Sequence, residues 1–295
     1  MKLSLCIAVF NEEKNIHYPL DSCIDWVDEV IIVDGGSTDK TVEVAKSYGK
    51  KVKIFHRDNP ALFLINRQRA LDQAKGDWIL QLDADEEVGQ NLKDEILSVI
   101  SGRMSDVRNE PITDNRKLNT TPVAYWIPRR NFFLGRFLMK GGVYPDRVLR
   151  LYRNGCAKFL SAHVHEHAVI DPSVIFPNLK KGEYRVEDYI GVLNKDLLHY
   201  ADPYFGRYIM RWRRYNNVDA KLLNDQKKKA GFFNYCIWKP LYTFVLIYGR
   251  HKGFMDGWQG FVFAFFSSIR FIDIYKKNRE LSEKSETTTQ NIKIF

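Results

Sequence analysis

The sequence predicts an α/β protein: a mostly parallel sheet with helices on both faces, followed by a helical C-terminal region. Three observations lead there. Short apolar runs alternate with amphipathic stretches through the first hundred residues, which is the pattern of parallel strands joined by crossover helices. Each run ends in a polar or acidic turn, most sharply in Gly76–Val88, read GDWILQLDADEEV. From Pro203 onward the alternation gives way to stretches rich in aromatic and basic residues.

Taken in order, Lys2–Val9 has the composition of a buried strand and Lys14–Trp26 that of a helix. Val30–Val33 is a second strand, ending at Asp34-Gly35-Gly36-Ser37-Thr38-Asp39. The two glycines permit a tight turn. Ser37 or Thr38 can cap the helix that carries Thr41, Val42, Val44 and Ala45. Val52–Phe55 is a third strand, and Phe63–Lys75 a helix through Ile65, Ala70, Leu71 and Ala74. Trp78–Leu82 is a fourth strand and Asn91–Ile100 the next helix. Ser101–Pro122 is polar and reads as a surface loop or insertion. Val123–Pro128 and Val148–Tyr152 are further strands, with a turn at Gly141-Gly142 between them. If extended, Ala162–Ile170 places His163, His165 and His167 on one face and Val164 and Glu166 on the other. Leu281–Phe295 reads as a frayed tail.

A length of 295 residues suits one large domain, or one domain with an appendage. The four cysteines (Cys6, Cys23, Cys156 and Cys236) lack the close spacing of a zinc or redox motif, which points to a reducing cytosol. The first residues show no small-residue cleavage site, and no apolar run approaches the roughly 20 residues of a spanning helix. The net charge of +9 is unevenly placed. Residues 202–280 hold fifteen Lys/Arg against six Asp/Glu, while the rest of the chain holds thirty of each. The surplus points to an anionic partner for the C-terminal part. No nucleic-acid motif accompanies it, which sets that class aside.

The chemistry concentrates where the fourth apolar run meets Asp83, Asp85, Glu86 and Glu87. Open α/β sheets place ligands at the carboxyl ends of their strands. Carboxylates crowded there repel one another and call for a cation. Oxygen donors suit Mg²⁺ or Mn²⁺, which also accept phosphate oxygens. The residues alone allow a second reading, an exposed acidic turn leading into a helix N-terminus.

The ordered series narrows this. A strand runs into Asn11-Glu12-Glu13, and a second into Asp34-Gly35-Gly36-Ser37-Thr38-Asp39. Then come Arg67, Gly76-Asp77-Trp78 and Asp83-Ala84-Asp85-Glu86. The series resembles the family 2 glycosyltransferases with the GT-A fold, closest to the branch acting on lipopolysaccharide core oligosaccharide. The resemblance runs over roughly residues 1–280; with the composition it gives a catalytic domain over 1–200 with a polar insertion near 101–122, a helical region over 201–280, and a flexible tail over 281–295. It implies that Ala8, Asn11 and Glu12 line a nucleoside pocket and that Asp34 bonds the base or ribose. It puts Arg67 near the pyrophosphate or base, although Gln68 stands where the family usually has Asn. Asp83 and Asp85 match the metal-binding Asp-x-Asp: Asp85 on the ion, Asp83 on the ribose or the ion's waters. His199 falls where a late metal ligand or phosphate contact is often supplied. Glu166, in the His165-Glu166 pair after Arg150-Leu151-Tyr152-Arg153, matches the base that takes the acceptor's proton.

Plainer readings stand beside these. Asp34 can open a turn, and Arg67 can be a solvated helix charge. The three histidines can be a metal site, and Glu166 can be a surface residue. Trp126, Arg129, Arg147 and Arg150 suit an acceptor side that carries phosphate or acid groups.

In the C-terminal third, Arg207, Arg211, Arg213, Arg214 and Lys227-Lys228-Lys229 interleave with aromatic residues up to Phe266. This suits helices lying in the interface of an anionic membrane, or aromatics forming a helical core. Asp256-Gly257-Trp258-Gln259-Gly260 resembles a feature of the same lipopolysaccharide branch. The expectation is an inverting, metal-dependent transferase. It would move a sugar, glucose in that branch, from a UDP-sugar to a lipid-linked glycan, from the cytoplasm and peripherally on the inner face of the membrane. The rivals are a non-catalytic sugar-nucleotide-binding or scaffold protein at the membrane, and a nucleotidyltransferase. The latter would want a Gly-rich basic loop where Asn11-Glu12-Glu13 stands.

Overall fold

A computed structural model describes residues 1–60, 64–103, 121–159, 168–179, 184–226 and 228–292. In chain order the strands and helices of the first half are β1 (Leu3–Val9), α1 (His17–Cys23), β2 (Glu29–Asp34), α2 (Thr41–Lys46), β3 (Val52–His56), α3 (Leu64–Leu71), β4 (Trp78–Leu82), β5 (Glu86–Val88) and α4 (Gln90–Ile100). Then come β6 (Ala124–Phe133), β7 (Arg136–Leu138), β8 (Asp146–Arg153), β9 (Ala157–Lys158), β10 (Val169–Ile170), β11 (Ile190–Val192) and β12 (Leu197–Asp202). Helices α5 (Phe205–Asp225), α6 (Lys239–Phe244) and α7 (Gly257–Ile292) follow. The chain divides into two compact units, residues 1–129 with 146–199, and residues 130–145 with 200–295. The expected polar insertion falls largely, and the three histidines and Glu166 entirely, outside the described residues.

In the first unit, β3, β2, β1 and β4 lie side by side and pair in parallel. Their side chains alternate between two cores, as the strand period requires. Leu5, Ile7, Val30, Ile32 and Leu80 face a core shared with Ile16 and Leu20, which flank and line α1, and with Leu92 and Ile96 of α4. Cys6, Ile31, Val33 and Ile79 face a second core shared with Ala70 and Leu71 of α3. Strands buried on both faces read as continuous apolar runs, which is why they were legible. Each fully buried Leu or Ile contributes about 1.5–3 kcal/mol. The strand order reverses at β1: the chain leaves it toward β2 and β3, then returns to β4 on its other side. The loops after β1, β2 and β4 therefore gather at one switch point, where such sheets bind ligands.

The sheet then changes character. β8 adds antiparallel to β4, β6 antiparallel to β8, and β12 with β5 antiparallel to one another beyond them. The α/β class and the helical C-terminal region are those expected, with parallel pairing through the first four strands and in the β6–β11 pair.

In the second unit, β6 and β7 form a hairpin turning at Leu134 and Gly135, both at positive φ, the geometry that matches strand twist. Phe133, Leu138 and Tyr208 are the buried centre against which Trp212, Phe263 and Phe266 pack. The Trp212 indole N–H donates to the Phe266 carbonyl at 2.9 Å. Before α6, residues Phe233–Trp238 are π-helical, and after it so are Val245–Arg250. α7 runs on through the residues expected to form a tail, to Ile292. Among the described residues no helix is long and apolar enough to cross a membrane.

Candidate active site

The loops after β1 and β2 are stitched together by the residues the sequence singled out. Ala8 pairs with Val33 near the ends of β1 and β2. Asn11 sits at φ 56°, a left-handed position that Asn tolerates. Its carboxamide oxygen accepts from the Thr38 amide at 2.8 Å, and its own amide donates to the Ser37 hydroxyl at 2.9 Å. The Glu12 amide donates to the Thr41 hydroxyl at 2.7 Å, while the Glu12 carboxylate accepts from the Asn15 side chain. Asp34 ends β2, with its side chain buried. It accepts from the amides of Gly36 and Ser37 and lies 3.1 Å from His56 Nδ1. Burial works to raise its carboxyl, but the hydrogen bonds from Ser37, His56 and Gly36 outweigh it and hold it below the usual carboxylate range. Asp34 does open the turn. The donors around the carboxylate include the Ser37 side chain as well as the Ser37 amide.

The turn after β4 carries the acidic residues. The Glu86 amide bonds the Asp83 carbonyl at 3.1 Å, closing the turn. The Glu86 carboxylate accepts from the Asp83 amide at 2.9 Å. Arg67, on α3, donates to one Asp83 oxygen and Arg150, on β8, to the other. Arg150 also donates to Gln81 and, at 2.8 Å, to Glu86, which is completely buried. Arg129 bonds Glu86 at 2.8 Å and its cross-strand partner Asp146 at 2.6 Å. Burial opposes charge on Asp83, but Arg150 and Arg67 outweigh it and hold the carboxyl far below its ordinary range. Burial likewise opposes charge on Arg150, and Asp83 and Glu86 reverse it. The result is a chain of three arginines and three carboxylates, joined by alternating contacts.

Asp85 follows Asp83 in the same turn and meets a residue from a distant strand. Strand β12 pairs antiparallel with β5, and the register sets His199 opposite Glu86. His199 Nε2 thereby reaches 3.4 Å from Asp85 Oδ1, with both side chains largely withdrawn from solvent. Glu95 of α4 accepts from the amides of Asn194 and Lys195 and so fixes the loop that leads into β12. The structure thus brings together Arg67, Asp83, Asp85 and His199, with Ala8 and Asp34 near the ends of β1 and β2 and Asn11 and Glu12 in the loop after β1; Glu166 lies outside the described residues. Glu86, Gln81 and His56 carry contacts in or beside the site that were not singled out, because their partners come from other strands. An open cleft of about 480 Å³ between α1 and the β5–α4 turn, lined by His17, Asp21, Trp26, Glu87 and Lys93, holds none of the expected site residues.

A family model described as glycosyl transferase family 2 matches residues 4–153, half of the chain, from within β1 to the end of β8. The chain belongs to glycosyl transferase family 2. This glycosyltransferase is 29% identical over 292 residues to an uncharacterized glycosyltransferase of Rickettsia typhi, covering 96% of this chain and 89% of that one. It is 25% identical over 292 residues to the lipopolysaccharide core biosynthesis glycosyltransferase LpsC of Rhizobium meliloti, covering 94% of this chain and 93% of LpsC. Among solved structures, S. aureus TarS 1–349 in complex with UDP-GlcNAc aligns at 17% identity and a TM-score of 0.41, over 95% of this chain and 92% of that one.

Proposed function

We propose that this glycosyltransferase moves a sugar, glucose in the branch it resembles, from a UDP-sugar to a hydroxyl of a lipid-linked glycan such as a lipopolysaccharide core. The reading includes inversion at the anomeric carbon and a location on the cytoplasmic face of the membrane. The similarity to LpsC over nearly the whole of both chains supports the acceptor class. The observation that carries the site is the meeting of Asp85 with His199 beside the Arg67–Asp83–Arg150 bridge.

Asp85 and His199 offer a carboxylate oxygen and an imidazole nitrogen at 3.4 Å. Among the described residues no third His, Cys, Asp or Glu joins them. Two protein donors fit Mg²⁺ or Mn²⁺ when diphosphate oxygens and water fill the other positions. A bound ion would offset the charge that accumulates on the departing diphosphate. Asp83, oriented by its two arginines, faces the ribose. Asp34 takes the base N–H or a ribose hydroxyl, sharing a carboxylate oxygen with one of its loop donors. Glu166 is the base. The acceptor oxygen attacks the anomeric carbon, the bond from that carbon to the phosphate oxygen breaks, UDP leaves with the electron pair, and the acceptor's proton passes to Glu166.

The test pairs two variants. Asp85→Ala should abolish the Mn²⁺-dependent part of UDP affinity in calorimetry. Glu166→Gln should keep UDP affinity within about threefold while transfer falls by about 10²–10⁴-fold. Full transfer by Glu166→Gln removes it from the role, and unchanged Mn²⁺ dependence in Asp85→Ala removes the ion site.

A further inference from the structure

Residues 232–261 of the second unit leave large apolar side chains in solvent. Phe233, Ile237, Leu241 and Val245 recur every fourth position and are all exposed, Phe233 by 68% and Leu241 by 59%. In a plain α-helix a strict four-residue repeat drifts around the axis, because a turn holds 3.6 residues. Here the segment is π-helical over Phe233–Trp238 and Val245–Arg250, with one α-helical stretch between. The wider i→i+5 turns hold more residues than α turns, and the repeat stays on one side. The opposite side confirms the period. Tyr235 packs on Phe271, Lys239 lies 3.8 Å over the Tyr235 ring, and Ile247 meets Gly141. These positions alternate with the exposed ones at an offset of two.

Phe254 and Trp258 extend the exposed face past the turn into α7. In Asp256-Gly257-Trp258-Gln259-Gly260 the other residues have structural reasons. Asp256 is buried and accepts from the amides of Met139 and Lys140. Gly257 has φ 69°, and a side chain on Gly260 would strike the Gly253 carbonyl. The Gln259 amide donates to the Leu134 carbonyl at 3.2 Å. Trp258 remains 60% exposed.

Charge selects what covers this face. Between residues 226 and 261 there are six Lys/Arg, and the only acidic residue is the buried Asp256. Lys228 and Lys229 at one end of the stripe, and Arg250 and Lys252 at the other, are exposed. An apolar stripe bounded at both ends by cations, with Trp and Tyr along it, matches a bilayer interface: chains below, anionic headgroups around. We infer that residues 232–258 form a wedge that inserts its Phe233–Val245 stripe, Phe254 and Trp258 into the outer few ångströms of an anionic lipid leaflet. This deepens the membrane-surface part of the function proposed above by naming the face that meets lipid.

The test uses the full chain and vesicles free of any glycan, so that lipid binding is read independently of transfer. Vesicles of phosphatidylcholine are compared with vesicles containing about one-third phosphatidylglycerol. The expected result is sedimentation at least about tenfold stronger with the anionic vesicles, together with a blue shift of tryptophan fluorescence. A Phe233→Ser/Ile237→Ser/Leu241→Ser variant should lose at least about tenfold in binding while keeping transfer to a detergent-dispersed acceptor. Lys228→Glu/Lys252→Glu should lose the preference for anionic lipid. Wild-type binding by the triple variant, or no binding by the parent chain, overturns the wedge. So does a dimer in sedimentation equilibrium that the triple variant dissolves, since a second copy would then cover the face. Loss of transfer with intact vesicle binding would count against the proposed reaction and leave the wedge standing.

Discussion

Arg150, from β8, ties down three groups of the stretch from Gln81 to Glu86. Its guanidinium donates to Gln81 at the end of β4, to Asp83 in the following turn and to Glu86 in β5. A buried arginine is stable only while its carboxylates are present, and the reverse also holds. Arg150→Met should therefore cost about 3–5 kcal/mol of folding stability, because it strands Glu86 and part of Asp83. Urea unfolding measures this. Arg150→Lys should restore little of the loss, since one ammonium cannot reproduce a planar fork that serves three acceptors. A loss under about 1 kcal/mol for Arg150→Met would mean that Arg129 and Arg67 already neutralise the pair. At this scale, what was legible was what is local in sequence. The turn at Asp34 announced itself through the glycines after it, and the acidic turn through the apolar run before it. Glu86 read as one acid among four, because the arginines that bury it arrive from β6 and β8.

At the scale of elements, Gly76-Asp77-Trp78 turns out to be a joint between β1 and β4. The Gly76 amide donates to the Ser4 hydroxyl at 2.8 Å, Asp77 accepts from the Lys2 amide at 2.7 Å, and the Trp78 amide donates to the Lys2 carbonyl. A Cβ on Gly76 would lie 2.8 Å from the Ser4 backbone nitrogen and 3.0 Å from the Lys2 carbonyl. Neither can swing aside as a flexible side chain could. Gly76→Ala should therefore destabilise by about 1–3 kcal/mol, visible as a fall in Tm with UDP affinity retained. An unchanged Tm would show that β1 can shift at its start. β1, β2 and β4 were legible because burial on both faces leaves a continuous apolar run. β5 was not, since three residues, two of them acidic, show no period. The π-helical turns were not either, because no residue pattern in that segment marks a change in helical pitch.

On the scale of the whole molecule, the two units divide the charge. The basic excess sits in 202–280, while the rest of the chain is balanced and sets Arg67, Arg129 and Arg150 against its own carboxylates. Raising salt from about 0.1 M to about 1 M shortens the screening length from about 10 Å to about 3 Å. Vesicle binding, set by exposed lysines, should fall far more steeply than UDP binding, set by withdrawn groups; equal salt slopes measured by sedimentation and calorimetry would contradict this division. The pairing of β5 with β12 joins residues 86–88 to 197–199, over a hundred positions apart. During synthesis the acidic turn therefore leaves the ribosome long before the histidine that faces it. The nascent chain holds β5 as an open strand edge in the meantime, a template for mispairing. Competence to bind a donor is thus expected to appear late and all at once, when the β12 segment emerges and zips into place.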